Sequence, residues 1–157
     1  MHANVETILK NSLVTWTLRR HSDYGEIKSP FYFAHALNMD IGRISKTLFL
    51  RATGVQSKFV LAVCPISAKL NIPVVSAALN CRRVELANPV ELAQTLGYPS
   101  RGVSPLGAGA LPVLIDENLF EFPTILIGAG VLGEEIEINP HDLLALSRAQ
   151  RGPFCQN

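Results

Sequence analysis

Ile44-Ser45-Lys46-Thr47-Leu48-Phe49-Leu50, followed after a short interval by Phe59-Val60-Leu61-Ala62-Val63, is the stretch on which the fold turns. In an extended chain, successive side chains point to opposite faces. Ile44, Lys46, Leu48 and Leu50 therefore share one face, and Ser45, Thr47, Phe49 and Arg51 the other. Phe59 to Val63 shows no alternation and reads as a strand covered on both faces. Lys46 is the anomaly of the pair. A lysine in an aliphatic row is costly unless its ammonium reaches water or an anion. Snorkelling at a sheet edge meets that need. So does a polar pocket in which the cation faces a phosphate or a developing oxyanion.

Working outward, Val5 to Asn11 reads as a helix and Leu13 to Leu18 as a strand rich in β-branched and aromatic residues. Ser29-Pro30 is a helix start, with serine as the cap and proline at the first helical position; this helix carries Phe31, Ala34 and Leu37 inward. Pro65 is expected to open a short helix through Leu70. Asn88-Pro89-Val90-Glu91 has the form of a capping box, and its helix stops at Gly97. Pro112 to Ile115, Thr124 to Ile127 and Glu135 to Ile138 are three further strands. Asn139-Pro140 starts a last helix that presents Leu143, Leu144 and Leu146. Short strands mixed with capped helices, without regular βαβ alternation, argue against a doubly wound sheet. They predict a mixed α/β fold: one domain over residues 1–151, with a curled, barrel-like, mostly antiparallel mixed sheet surrounded by short helices. Residues 152–157 are expected to form a flexible tail.

The chain has 157 residues, of which 48% are hydrophobic and 17% charged, enough apolar material for a core. The longest uncharged run, Gly102 to Ile115, is broken by Pro105 and Pro112 and is too short for a membrane span. Glu6 and Lys10 break any secretory signal pattern. Cys64, Cys81 and Cys155 form neither a disulfide framework nor a CxxC zinc pattern, and the histidines lie far apart. The expected setting is a reducing, cytoplasmic one, with no metal and no cofactor. Charge is unevenly placed. Residues 1–101 carry 12 Lys/Arg and 6 Asp/Glu, whereas residues 102–147 carry 7 Asp/Glu and no Lys/Arg. An anionic partner would meet the first part of the chain; the alternative is an acidic solvent face on the later strands.

Two glycine motifs invite functional readings. Gly128-Ala129-Gly130-Val131-Leu132-Gly133 matches GxGxxG, but Glu134 to Ile138 then alternates like a strand, so a tight turn is predicted in place of a dinucleotide site. Gly102-Val103-Ser104-Pro105-Leu106-Gly107 is unlike a serine nucleophile elbow, because Pro105 has no N–H for an oxyanion and Leu106 stands where glycine is needed. It reads instead as a stiff loop that could hold a ligand by backbone contacts, or as a structural turn. Asp116 could face the same cavity as Lys46, or act as a cap. Cys64 has no evident base partner and reads as a core residue.

Taken in order, Ile44-Ser45-Lys46-Thr47-Leu48, the apolar strand into Cys64-Pro65, Gly97-Tyr98, the Gly102–Gly107 loop, Val113-Leu114-Ile115-Asp116 and Asn139-Pro140-His141-Asp142-Leu143 resemble the YbaK/ProX family of aminoacyl-tRNA deacylases. These are freestanding relatives of the editing domain of prolyl-tRNA synthetase. The resemblance covers roughly residues 30–147. It implies hydrolysis of misacylated tRNA, most directly tRNA for proline carrying alanine, cysteine, serine or threonine. As catalytic elements it implies Lys46, Gly102, Ser104 and Gly107; as substrate-binding residues, Thr47, Arg101, Val103, Pro105 and Asp116. Phe31, Phe33 and His35 are candidates for the pocket that sets side-chain preference. Arg101 stands where the family often has a second glycine and could contact phosphate. Arg19, Arg20, Lys28 and Arg43 are further candidates for phosphate contact. The implied partners are the aminoacyl-tRNA acceptor end and prolyl-tRNA synthetase, with no membrane. Two other readings stay open: a non-catalytic module that binds tRNA or a synthetase, and a hydrolase of small esters or thioesters.

Overall fold

β2 (Ser45–Thr53) and β3 (Phe59–Pro65) form the antiparallel centre of the fold, with Lys46 opposite Cys64 and Phe49 opposite Leu61. The computed structural model describes residues 1–54 and 58–156. β4 (Arg83–Leu86) pairs antiparallel with β2 on its other edge, while β5 (Val113–Asp116) and β8 (Gln150–Gly152) continue the sheet in parallel beyond β3. A second, antiparallel sheet has the order β1-β7-β6, from β1 (Trp16–Arg20), β6 (Ile125–Gly128) and β7 (Glu134–Ile138). The sheets meet at one seam. Ile44 bridges to Leu126, and the Ser45 hydroxyl donates to the Leu126 carbonyl at 2.6 Å. The result is a mixed α/β domain whose sheets curl toward each other along that seam.

Strand alternation places the core as the sequence implies. Phe49, Leu61 and Val63 pack with Ile125, Ile127, Ile136 and Ile138 in one cluster that joins the two sheets. Leu50, Ala52, Val60 and Ala62 point the other way, into a cluster with Val75 and Phe154. Lys46 shares the parity of this second group.

Five α-helices lie among the described residues: α1 (Ala3–Lys10), α2 (Pro30–Ala36), α3 (Ile72–Leu79), α4 (Pro89–Leu96) and α5 (Pro140–Ser147). Their starts follow from local chemistry. Ser29 accepts from the Tyr32 amide, and Asn88 and Glu91 form a complete capping box. Asn139 accepts from the His141 amide. No helix among the described residues is long and apolar enough to cross a membrane.

Several expectations need correction. β1 begins at Trp16, and Leu13 is fully exposed, because the strand is defined by its pairing with β7 and not by its own composition. Pro65 ends β3 instead of opening a helix. The helix that follows is α3, started by Asn71 with Pro73 in its first turn; Val74 and Val75 disguise it as strand. β4 was not anticipated, since its only support is the edge of β2. The closing segment is packed, not loose. Phe154 is buried beside Val75, its carbonyl accepts from the Asn71 amide at 2.8 Å, and the Gln156 amide donates to the Lys69 carbonyl at 2.8 Å. Asn157 lies outside the described residues.

The uneven charge is in large part internal pairing across the β1-β7-β6 sheet. Arg19 and Arg43 both reach Glu137, and Arg20 and the N-terminal ammonium both reach Glu134. Glu137 is partly buried, which by itself would raise its pKa. Hydrogen bonds from Thr124 and Arg19 outweigh that and hold the carboxyl below the usual range.

Candidate active site

β4 pairs with β2 only from Leu50 to Thr53, and β6 touches the strand only at its start, through Ile44 and Ser45. Between these two neighbours the edge of β2 is open at Thr47. The Phe49 carbonyl accepts from the Ala87 amide on the β4 side. Backbone groups alternate along a strand, so the N–H and C=O of Thr47 face the same side, toward the gap. A cavity of about 780 Å³ lies here, lined by Ser45, Lys46, Thr47 and Leu48 of β2.

Three other segments complete its wall. Lys28, Ser29, Pro30 and Phe33 come from the start of α2, Ser100, Arg101 and Val103 from the loop after α4, and Gly128, Leu132, Gly133 and Glu135 from the β6–β7 connection. His21, just after β1, and the apolar Ile27 and Ile66 also line it.

Lys46 is half-buried, and its Nζ donates to the Ala68 carbonyl at 2.6 Å in the turn that follows β3. An ammonium has three donors, so two remain for a ligand. Thr47 Oγ1 is buried and has no hydrogen-bond partner among the described residues. An orphaned buried hydroxyl costs roughly 1–3 kcal/mol, so a site that retains one has a use for it. Lys46 and Thr47 are consecutive on β2, so their side chains leave opposite faces of the strand; both residues line the cavity, and the Thr47 hydroxyl is sealed from solvent.

The Gly102–Gly107 loop is stiff for visible reasons. Ser104 is fully buried, and its Oγ accepts from the Leu106 amide at 3.1 Å. The buried Tyr98 hydroxyl donates to the Leu106 carbonyl at 2.6 Å, and burial pushes its pKa up to about 12. Gly107 takes φ +76°, and a β-carbon there would meet the Tyr98 hydroxyl at 2.5 Å. Gly102 packs on the β6–β7 turn: a β-carbon on it would lie 2.6 Å from the Val131 carbonyl oxygen. That turn is the GxGxxG segment. It joins two strands, as its alternating acidic continuation implies, and serves as a backbone platform for the loop.

Of the residues singled out from sequence, the structure brings Lys46, Thr47, Arg101, Val103 and Phe33 to one cavity. Gly102, Ser104, Pro105 and Gly107 build the loop from behind and are not among its lining residues. Asp116 is elsewhere. It is fully buried, caps the turn after β5 through the Asn118 amide, and accepts from the Cys155 amide at 3.0 Å. It is not among the residues that line the cavity, and its contacts are those of a cap. Phe31 and His35 point to solvent on α2, because the face carrying Phe33 and Ala34 is the buried one. Among the candidate phosphate contacts, Lys28 lines the cavity, whereas Arg19, Arg20 and Arg43 are engaged in ion pairs with Glu137 and Glu134. Cys64 is buried opposite Lys46 and does not line the cavity. A hydrogen bond from Cys155, helped by the nearby Lys46 ammonium, holds its thiol below the usual range against the effect of burial.

His21 and Glu135 were not anticipated. His21 Nε2 lies 2.8 Å from Glu135 Oε2, and the imidazole packs on the Phe33 ring at 4.3 Å between centroids. The two residues are 114 positions apart in the chain and meet only through the β1–β7 pairing. No local sequence signal announces them.

Comparisons with known proteins agree with this picture. The aminoacyl-tRNA editing domain model matches residues 26–146. A candidate Cys-tRNA(Pro)/Cys-tRNA(Cys) deacylase of Enterococcus faecalis, EbsC, is 31% identical over 118 residues, covering 74% of this chain and 71% of that protein. The crystal structure of a candidate trans-editing enzyme for prolyl-tRNA synthetase superposes with a TM-score of 0.79 at 19% identity, over 100% of both chains. A further crystal structure, of a protein described as hypothetical, superposes with a TM-score of 0.84 at 23% identity, over 98% of this chain and 99% of the other. At these identities the structural likenesses speak for the fold. The matched domain spans the Lys46 strand, the Gly102–Gly107 loop and the β6–β7 turn, and the chain belongs to the aminoacyl-tRNA editing domain family, the YbaK/ProX-type aminoacyl-tRNA deacylases.

Proposed function

We propose that this deacylase acts in trans on misacylated tRNA for proline, removing a small non-cognate residue from the set cysteine, alanine, serine and threonine. The observation that carries this reading is the meeting of a half-buried cation, Lys46, with Thr47, Arg101 and Val103 in one cavity beside the open edge of β2. Cysteine heads the proposed set, a choice supported by the likeness to EbsC.

The chemistry asks little of the protein. An aminoacyl ester is already activated, so water, or the thiol of a cysteinyl substrate, can attack its carbonyl without a covalent enzyme intermediate. What remains is positioning and charge stabilisation. Lys46 anchors the terminal nucleotide or meets the charge that develops on the carbonyl oxygen. Thr47 and the backbone around Val103 hold the ester in register. Phe33, Leu48, Ile66 and Leu132 form an apolar wall against which a small side chain packs. Editing of this kind answers a physical limit: a synthetase pocket discriminates against a missing methylene by only about 1–3 kcal/mol. Lys28 and Arg101 supply cationic contacts at the cavity for the phosphates of the acceptor end.

The test is a panel of tRNA for proline charged with cysteine, alanine, serine, threonine or proline, with ester loss followed over time. The reading predicts rapid loss of at least one non-cognate ester and little loss of proline. Binding without turnover would favour a non-catalytic module. Neither binding nor turnover, with activity on small esters, would favour the third reading.

A further inference from the structure

The β7 carboxylates are treated unequally by their neighbours. Glu137 is met by the guanidinium groups of Arg19 and Arg43, and Glu134 by Arg20 and the N-terminal ammonium. Glu135 has His21 alone among the described residues. The register makes this unexpected, because Arg19 stands directly opposite Glu135. Its side chain instead turns to Glu137, donating from Nε at 2.9 Å and from a terminal nitrogen at 2.6 Å. Glu135 Oε2 is 2.8 Å from His21 Nε2, and Oε1 has no partner among the described residues.

Glu135 is also the only acidic side chain among the described residues that line the cavity; Lys28, Lys46 and Arg101 are the cations there. The carboxylate is mostly buried, with its side chain 15% exposed. An imidazole meets the carboxylate with a single ring nitrogen, whereas the guanidinium that the register offers can cover both oxygens at once. The Phe33 ring holds that imidazole in place. A carboxylate kept oriented, mostly desolvated and with one oxygen still to be met, in a cavity whose other charged side chains are cations, is suited to a ligand that carries one positive group among negative or neutral ones.

We infer that Glu135, positioned by His21, receives the α-ammonium of the aminoacyl ester. This rests on the deacylase reading and adds to it a specificity determinant. Of the groups at the end of a charged tRNA, the α-ammonium alone is cationic for every amino acid in the proposed set. Its capture by Glu135 would separate aminoacyl esters from esters that lack the amine and would fix which face of the carbonyl meets water. Lys46 and Glu135 then divide the substrate between them, one answering its negative charge and the other its positive charge.

The experiment compares each ester with its N-acetylated counterpart, which keeps the ester and loses the ammonium. Wild-type protein is expected to favour the free amine by roughly tenfold to a hundredfold in kcat/KM, the worth of one charge-assisted hydrogen bond. In Glu135→Gln that preference collapses toward unity; in His21→Gln, which retains a donor, part of it survives. A wild-type protein that hydrolyses both esters equally overturns the inference, whether or not the variants fold. So does a Glu135→Gln protein that is slower yet keeps the full preference, since that is a structural effect. If neither ester is hydrolysed, the deacylase reading fails by itself. Binding of 3′-alanylamino-3′-deoxyadenosine and its N-acetyl derivative, followed by NMR, then decides the inference: tighter binding of the free amine, lost in Glu135→Gln, supports it, and equal binding overturns it.

Discussion

The carbonyl of Val103 occupies the space in which a β-carbon of Gly128 would stand. Gly102 and the Val131 carbonyl are related in the same way. The Gly102–Gly107 loop and the β6–β7 turn therefore touch backbone to backbone at two points, and each glycine is required by the other segment. Gly128→Ala forces the loop off the turn. The expected cost is about 1–3 kcal/mol of stability, typical of an added methyl in a packed site. Deacylation should fall more than stability implies, because Arg101 and Val103 move with the loop. Denaturant unfolding together with kcat/KM for one non-cognate ester checks both parts.

Thr47 gives a prediction in which stability and activity part company. Its hydroxyl is buried, with no partner among the described residues. Thr47→Val removes an unsatisfied group while nearly keeping the shape, so the folded state should be unchanged or up to about 1 kcal/mol more stable. The same variant should lose roughly tenfold in kcat/KM, the worth of a hydrogen bond that substrate entry uncovers. A melting temperature that rises while turnover falls is the signature.

Glu137 governs acid stability. Its folded-state pKa lies below the ordinary 4.5, because hydrogen bonds from Thr124 and Arg19 overcome the opposing effect of burial. A depressed carboxylate stabilises the fold above its unfolded pKa, and that contribution is lost as pH falls through the folded value. Glu137→Gln should therefore cost roughly 1.5–3 kcal/mol near pH 7, where it also leaves Arg19 and Arg43 without their shared carboxylate. The difference from wild type should shrink below about pH 4.5. Urea unfolding at several pH values measures it.

What was legible in the sequence was what local pattern controls. The alternation of Ile44 to Leu50 placed Phe49 and Leu50 in separate core clusters. The Ser29-Pro30, Asn88-Pro89 and Asn139-Pro140 pairs located three helix starts. The acidic alternation after Gly133 identified the GxGxxG segment as a strand-to-strand turn. Lys46 was conspicuous because an ammonium is out of place in an aliphatic row. The misses depend on tertiary pairing. β4 exists because β2 offers an edge, and the tail is ordered because Phe154 completes a cluster under α3. Asp116 and Ser104 carry the right chemistry but spend it on capping their own loops. His21 and Glu135 are unremarkable until the β1–β7 register joins them.

Lys46 bears the central claim, that one cavity at the open edge of β2 hydrolyses the aminoacyl ester. Single-turnover deacylation of cysteinyl- or alanyl-tRNA for proline by wild type and Lys46→Ala tests it most directly. Losing an oriented charge at the reacting ester should slow the reaction by about a hundredfold or more. Circular dichroism and melting should stay close to wild type, because the Lys46 ammonium is tied to the fold by a single bond to the Ala68 carbonyl. A folded Lys46→Ala protein that deacylates at the wild-type rate would contradict the account.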